Sequence, residues 1–222
     1  MHTKNIYQSP SLAGLLTFIG GFLDSYSFIQ RGNVLSGAQT GNIVLLSASL
    51  AYRQWLAFFT DLASLIGFGI GAIIITIINE KLTNYSRLAI LWPNVITCLV
   101  IGFLPKSFSN LVIVLFLSCT LAMQTTAFNS DRGVSYNVVY STGNFKHFAI
   151  SWSKYFLTHD KTYLHDGLVY IGIVGCFISG AILSAIMQQF MHLHTIWIAS
   201  VILIFIIIYY SRILKKNQII NN

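Results

Sequence analysis

The sequence predicts an all-α integral membrane protein: six transmembrane helices in a 3+3 inverted repeat, with two short re-entrant or interfacial helices. Three observations carry this. The 222 residues are 55% hydrophobic and 9% charged, against roughly 25% charged in a soluble domain, so lipid must cover part of the surface. Six apolar runs approach or reach the ~20 residues that cross a hydrocarbon core of about 30 Å. The tripeptide Thr-Gly-Asn occurs twice, at Thr40-Gly41-Asn42 and Thr142-Gly143-Asn144, 102 residues apart. Each copy opens a hydrophobic segment too short to span.

The six runs are Ser11–Gln30, Leu56–Asn79, Leu88–Leu104, Asn110–Ser130, Gly167–Met187 and Thr195–Ser211. Pro10 and Pro105 sit at run ends, where a missing N–H is harmless, and Pro93 is close enough to the start of the third run that no kink is required. The first run holds Asp24 and no small-residue cleavage pattern follows a basic start, which argues against a cleavable signal peptide. The short segments extend from about Asn42 to Tyr52 and from about Asn144 to Phe156. Eleven helical residues reach about 16 Å, roughly half the hydrocarbon thickness.

Charge counting orients the chain. With six spans and an internal N-terminus, Lys4, Lys81, Arg87, Arg132, Lys146, Lys154, Lys161, Arg212, Lys215 and Lys216 lie inside, and Arg31, Arg53 and Lys106 outside. If the short segments also spanned, the bias would shrink and Lys146 would fall in lipid. The positive-inside rule therefore places both termini in the cytoplasm. The formal net charge of +7 has this topological explanation, and no basic recognition helix points to nucleic acid.

The repeat extends past the tripeptide. Asp61 precedes Ile66-Gly67 as Asp166 precedes Ile171-Gly172, and Trp92 matches Trp197, both 105 residues apart. One membrane domain, 1–222, would then hold repeat one over 11–104 and repeat two over 110–211. Three spans per repeat force the second to enter from the opposite face, the arrangement of many secondary transporters. Gly67 and Gly71 (with Ala63), and Gly172, Cys176 and Gly180 (with Ser184), form stripes of small residues suited to close helix contact.

Asp24 is the only charge deep in a span. An acid there costs roughly 2.5–3.5 kcal/mol on insertion scales, so it should face protein or a wet cavity, where it can couple protons or lock helices. Gly20 and Gly21, one turn earlier, permit close approach. Thr126 stands at the corresponding place in the second half, with Gln124 and Asn129 nearby. The Thr-Gly-Asn sites suit unwound stretches whose Thr or Asn caps the next helix. Two such positive helix ends would favour an anion, and Gln39 and Ser141 add hydrogen-bonding capacity. In the second segment Phe145, Phe148, Trp152 and Phe156 share one face, the pattern of an interfacial helix.

Cys98, Cys119 and Cys176 have neither disulfide nor zinc spacing. The histidines, His192 and His194 included, lack metal-ligand spacing. No catalytic or nucleotide-binding motif occurs. The expectation is a non-enzyme that needs no metal or cofactor.

Gly20-Gly21-Phe22-Leu23-Asp24, then Gln39-Thr40-Gly41-Asn42 and the second Thr142-Gly143-Asn144, resemble the bacterial YoaK-like membrane proteins, a domain-of-unknown-function family. The similarity runs from about Ser11 to Ser211. It departs at Met123-Gln124, where the family often has Gly before the Gln. The resemblance implies a polytopic bacterial plasma-membrane protein of about six spans and no particular substrate.

The functional expectation is a small secondary transporter or permease for a small polar or anionic solute, proton-coupled through Asp24. Its binding residues would be Asp24, Gly20, Gly21, Gln39, Thr40, Gly41, Asn42, Gln124, Thr126, Thr142, Gly143 and Asn144. The alternative is a non-transporting membrane scaffold or assembly partner. The bilayer is the one certain partner, and the sequence sets no oligomeric state.

Overall fold

A computed structural model describes residues 10–79, 84–128 and 141–221. Lys4, Lys81, Asn129, Ser130 and Arg132 lie outside the described residues. Among the described residues the elements are helical: α1 (Pro10–Gln30), α2 (Gln39–Ala51), α3 (Trp55–Asn79), α4 (Asn84–Ala89), α5 (Leu91–Phe103), α6 (Asn110–Phe128), α7 (Ser141–Thr158), α8 (Lys161–Met191), a 3-10 turn (His192–Thr195) and α9 (Ile196–Asn221). Four helical stretches are long and apolar enough to cross a membrane: Pro10–Gln30, Trp55–Ile78, Asn110–Phe128 and Lys161–Lys215, the last holding α8 and α9 together. Arg87–Phe103 is a shorter apolar helix.

Several expected boundaries move, each for a local reason. The third run is broken at Ile90 between α4 and α5. Pro93 has no N–H for the Ala89 carbonyl and its ring crowds that group, so the chain closes a tighter turn there, Ile90 N–H donating to Arg87 O at 3.2 Å. Ile90 keeps helical dihedrals (φ −65°, ψ −18°), so the tighter turn does not end the apolar helix Arg87–Phe103. α8 starts six residues before Gly167 because Asp160 caps it, its Oδ1 accepting from Thr162 N–H at 2.8 Å. That bond holds the exposed Asp160 carboxyl below its ordinary range. The short helices begin at Gln39 and Ser141, so each Thr-Gly-Asn lies in a first turn rather than before one.

Two tight helix pairs organise the bundle, α1 with α8 and α3 with α6. A Cβ at Gly21 would collide with the Phe177 carbonyl, and one at Gly180 with the Phe18 carbonyl. In the other pair, Gly67 meets the Leu115 carbonyl and Gly71 the Cys119 carbonyl. Cys176 lies against Gly14, its Sγ 3.1 Å from where a Cβ would be. Small residues thus let backbones touch. Gly172 is the exception and corrects its expected packing role: nothing lies within 4 Å of its would-be Cβ.

The short helices fold back as hairpins, α2 on α3 and α7 on α8. Each hairpin turns through a non-glycine residue at positive φ, Arg53 (56°) and His159 (54°). Each short helix buries an Asn and a Ser seven residues apart: Asn42 and Ser49, Asn144 and Ser151. Seven residues make two helical turns, so both pairs lie on one face. α5 and α9 close the bundle against each other, and α1 is its most enclosed member, with Leu16, Ile19, Phe22 and Leu23 wholly buried. Large apolar residues line the outside instead: Ile66, Ile70, Ile73 and Ile77 on α3, and Ile178, Ile182, Ile186 and Phe190 on α8. Water would not tolerate stripes of that extent; acyl chains do. The protein is an all-helical membrane protein.

Candidate functional site

Asp24 sits on α1 where Gly20 and Gly21 precede it, and all three are buried. Its Oδ1 accepts from Ser36 Oγ–H at 3.1 Å and from Gly37 N–H at 2.6 Å. Gly32 (φ 98°) and Asn33 (φ 60°) turn the chain back after α1, which brings the following loop down beside the acid. The second oxygen, Oδ2, is buried and has no hydrogen-bond partner among the described residues. Asp24 also lines a cleft of about 270 Å³ with Gly21, Ser25, Phe28, Leu35, Ala38, Phe177 and Ala181. Apart from Asp24 and Ser25 these walls present no polar side chain.

Asn42, wholly buried, clamps the same loop. Its Oδ1 accepts from Leu35 N–H at 2.9 Å, and its Nδ2 donates to Leu35 O and to Ser64 Oγ (2.9 Å). Gln39 joins through Nε2 to Ser36 O at 3.0 Å. Ser64 on α3 lies 2.8 Å from Ser118 on α6, so the clamp reaches the tight α3–α6 pair. Asp24 and Asn42 therefore grip successive residues of one loop, Leu35 to Gly37. The backbone groups that a mid-bundle loop leaves unpaired are satisfied from both sides, as burial demands.

The threonines do otherwise. Thr40 and Thr142 are exposed, and α2 has no side-chain cap. Capping by Thr, or by Asn, does not occur at α2. Gly41 and Gly143 are half-buried, while Asn144 is wholly buried on the face that α7 turns inward. Gln124 is buried in a separate network: its Nε2 donates to Leu16 O at 3.2 Å, and its Oε1 accepts from Asn94 Nδ2 at 2.9 Å. Thr126 is half-buried. Asp24, Gln39 and Asn42 are thus joined through one loop, and Gln124 belongs to another contact between α1, α5 and α6.

Four functional candidates escaped the sequence reading. Ser64 and Ser118 look like small packing residues in apolar runs, and Asn94 like an isolated polar residue. Arg31 looks like an external loop cation, yet it is wholly buried. It donates to the carbonyls of Ile101 (3.2 Å), Leu104 (3.1 Å) and Pro105 (3.3 Å) and to Tyr26 Oη (3.3 Å). These carbonyls lie at and just past the negative dipole end of α5; Ile101 O and Pro105 O also accept from Leu104 N–H and Phe108 N–H. Among the described residues no carboxylate pairs with Arg31. Tyr26 in turn donates to Leu193 O at 3.0 Å, and His194 Nδ1 lies 2.8 Å from Gly102 O. The ends of α1, α5 and α8 and the start of α9 therefore meet at one end of the bundle.

Electrostatically, the site differs from two open positive helix ends. The loop just before α2 already donates to the Asp24 carboxylate through Ser36 and Gly37. A second anion there would meet like charge. Another recess, about 310 Å³ between α5 and α6, is lined by Ile96, Val100, Phe108, Phe116 and similar residues, with Thr97 its one hydroxyl. It has the character of an acyl-chain groove.

No solved structure matches this chain. It is similar to the UPF0700 transmembrane protein YoaK of Bacillus subtilis (strain 168), with 27% identity over 207 residues, covering 87% of this chain and 90% of that protein. The family described as protein of unknown function (DUF1275) matches residues 12–209, a stretch that takes in Asp24, both Thr-Gly-Asn turns and both tight helix pairs, and the chain belongs to that family.

Proposed function

We propose that this protein is a small permease of the bacterial plasma membrane, built from two inverted three-span units (11–104 and 110–211), with both termini in the cytoplasm. The observation that carries the transport reading is Asp24: a buried acid on the wall of a cleft, with one oxygen engaged by a loop and the other buried without a hydrogen-bond partner among the described residues. An intramembrane acid in that setting is a natural proton-coupling group.

Contacts between helix ends support the topology. Arg31, at the end of α1, touches the end of α5, so those two ends share a face. One crossing, α3, then returns the chain between them, and α2 does not cross. The contact of His194 with Gly102 adds the end of α8 to that face. Gly32 lies beside Asn110, which adds the start of α6. By the same parity α7 does not cross, leaving six spans. The matched hairpins, buried Asn and Ser pairs, and positive-φ turns support the repeat.

Depth supports a re-entrant α2. Asp24 lies about 9 Å along α1 from Gln30, and Ser64 about 13 Å along α3 from Trp55, at ~1.5 Å per residue. Both touch the loop that opens α2, so α2 begins well below the face at which α3 enters. For α7, the exposed Phe145, Ile150, Phe156 and Leu157 suit the headgroup region as well as lipid.

The test is flux. Proteoliposomes holding a pH-sensitive dye are challenged with small polar amines, amides and amino acids. The expected result is saturable, solute-dependent proton movement that Asp24→Asn removes. Absence of any such flux with folded protein argues for a second reading, a non-transporting scaffold. That reading is favoured by the closed networks of Asn42, Ser64 and Ser118 and of Asn94 and Gln124, whose hydrogen bonds need no ligand. A stoichiometric partner in the purified material would support it.

A further inference from the structure

Resting on the permease reading, which it deepens by naming a ligand class, we infer that the cleft between α1 and α8 binds a small organic ammonium cation carrying an apolar group. Three observations converge. Asp24 lines the cleft, is 3% exposed, and holds an Oδ2 with no partner among the described residues. A buried carboxylate oxygen without a donor is rare, because the lost hydrogen bonds to water are not replaced. A charged donor replaces them best, since N⁺–H···O⁻ bonds are roughly twice as strong as neutral ones.

The walls select the rest of the ligand. Phe28, Leu35, Phe177 and Ala181 are apolar, and Ser25 adds one hydroxyl. The two phenyl rings also suit a cation, whose charge is attracted to a ring face. Among the described residues no Lys, Arg or His lines the cleft, so none of them attracts an anion there or neutralises Asp24. Ser36 and Gly37 donate to Oδ1 and so hold the carboxylate in place without occupying Oδ2. The volume of about 270 Å³ equals that of roughly nine waters at ~30 Å³ each. It admits a compact amine.

The entrance follows from the helix packing. Gly21 and Gly180 pull α1 and α8 into backbone contact on either side of Phe177, which closes the inner side of the cleft. Phe28 is 43% exposed, so the cleft opens along the outer turn of α1, near the face where α1 ends. An amine would enter from that side with its charge leading toward Asp24.

The experiment titrates protein in lipid nanodiscs with benzylammonium, using benzyl alcohol and benzoate as neutral and anionic arms of similar size and empty nanodiscs as blank. Saturable binding is expected for benzylammonium alone, weakened about tenfold or more in Asp24→Asn. Ala181→Leu, which fills the cleft without touching the carboxylate, is expected to abolish it, and decides the matter if Asp24→Asn does not fold. Equal binding of benzyl alcohol marks an acyl-chain crevice and overturns the assignment. So do saturable binding that Ala181→Leu leaves unchanged, and no saturable binding at all. Flux separates the two readings: benzylammonium bound but with no solute carried leaves the cleft and removes the permease, whereas a carried solute that benzylammonium does not compete with leaves the permease and removes the cleft.

Discussion

The wholly buried guanidinium of Arg31 donates to the Leu104 carbonyl at 3.1 Å, tying the end of α1 to the end of α5. Hydrogen bonds involving a charged group contribute about 1.5–3 kcal/mol each, and an orphaned buried carbonyl costs about 1–3 kcal/mol. Arg31→Ala is expected to lower stability by about 3 kcal/mol or more on those figures. Arg31→Lys should recover only part, because a compact ammonium lacks the planar fork that reaches Tyr26 Oη and three carbonyls at once. Thermal unfolding in detergent measures both; an unaltered melting temperature in Arg31→Ala would remove the cap.

The proposed topology predicts sidedness. Arg53 and Lys106 are expected at the outer face and Lys154 and Lys215 at the inner. Single cysteines at these positions, in a background with Cys98, Cys119 and Cys176 replaced, should label with a membrane-impermeant maleimide at Arg53→Cys and Lys106→Cys only in intact cells. Labelling of all four from outside, or of Lys154→Cys alone, contradicts six spans with internal termini.

Glycines in one stripe should separate. Gly21→Leu and Gly180→Leu place carbon where Phe177 and Phe18 carbonyls lie, and overpacking of that kind costs about 1–3 kcal/mol or more. Gly172→Leu meets open space and is expected to express and melt like the parent. Monodisperse yield and melting temperature compare the three, and equal damage in all would sink the α1–α8 contact.

The two tripeptide positions should part company as well. Asn42→Ala leaves Leu35 N–H without its acceptor and removes one donor each to Leu35 O, which keeps Ser64 Oγ–H, and to Ser64 Oγ, with an expected loss of about 1–3 kcal/mol for the buried N–H left unpaired. Thr40→Ala, on the exposed side of α2, should change stability by less than about 0.5 kcal/mol. Denaturation of both variants decides between a clamp in Asn42 and a solvent-facing tripeptide.

Asp24 offers a sharper comparison. Asp24→Asn keeps an oxygen for Ser36 and Gly37, while Asp24→Ala removes it. Stability near the parent in Asp24→Asn and a loss of about 2 kcal/mol in Asp24→Ala is expected from the hydrogen bonds alone. If both unfold equally, the negative charge itself holds the loop.

Much of the architecture was legible because lipid imposes a simple code. Apolar length marked the long membrane-type helices, and the paired Thr-Gly-Asn marked both short helices. Asp24 stood out because charge is costly in a span. Arg31 did not, because its partners are backbone carbonyls, and a string of side chains carries no trace of which carbonyls a distant helix end presents. Ser64 and Ser118 were equally silent: a serine pairing across two helices reads the same as one that merely fills space.

Sequence by itself determined the solvent and the helical class of this protein, since those follow from composition and periodicity, which are local and additive, and its Gly-Gly-Phe-Leu-Asp and Thr-Gly-Asn motifs carried the resemblance to its family. Which residues form a site was decided by tertiary structure alone. The loop from Leu35 to Gly37 had to descend beside Asp24 before that acid acquired a held oxygen and a free one, and two glycines had to bring α1 against α8 before a cleft existed. Those relations are set by contacts between helices far apart in the chain, whose closeness depends on backbone approach to within van der Waals distance rather than on any residue's own chemistry.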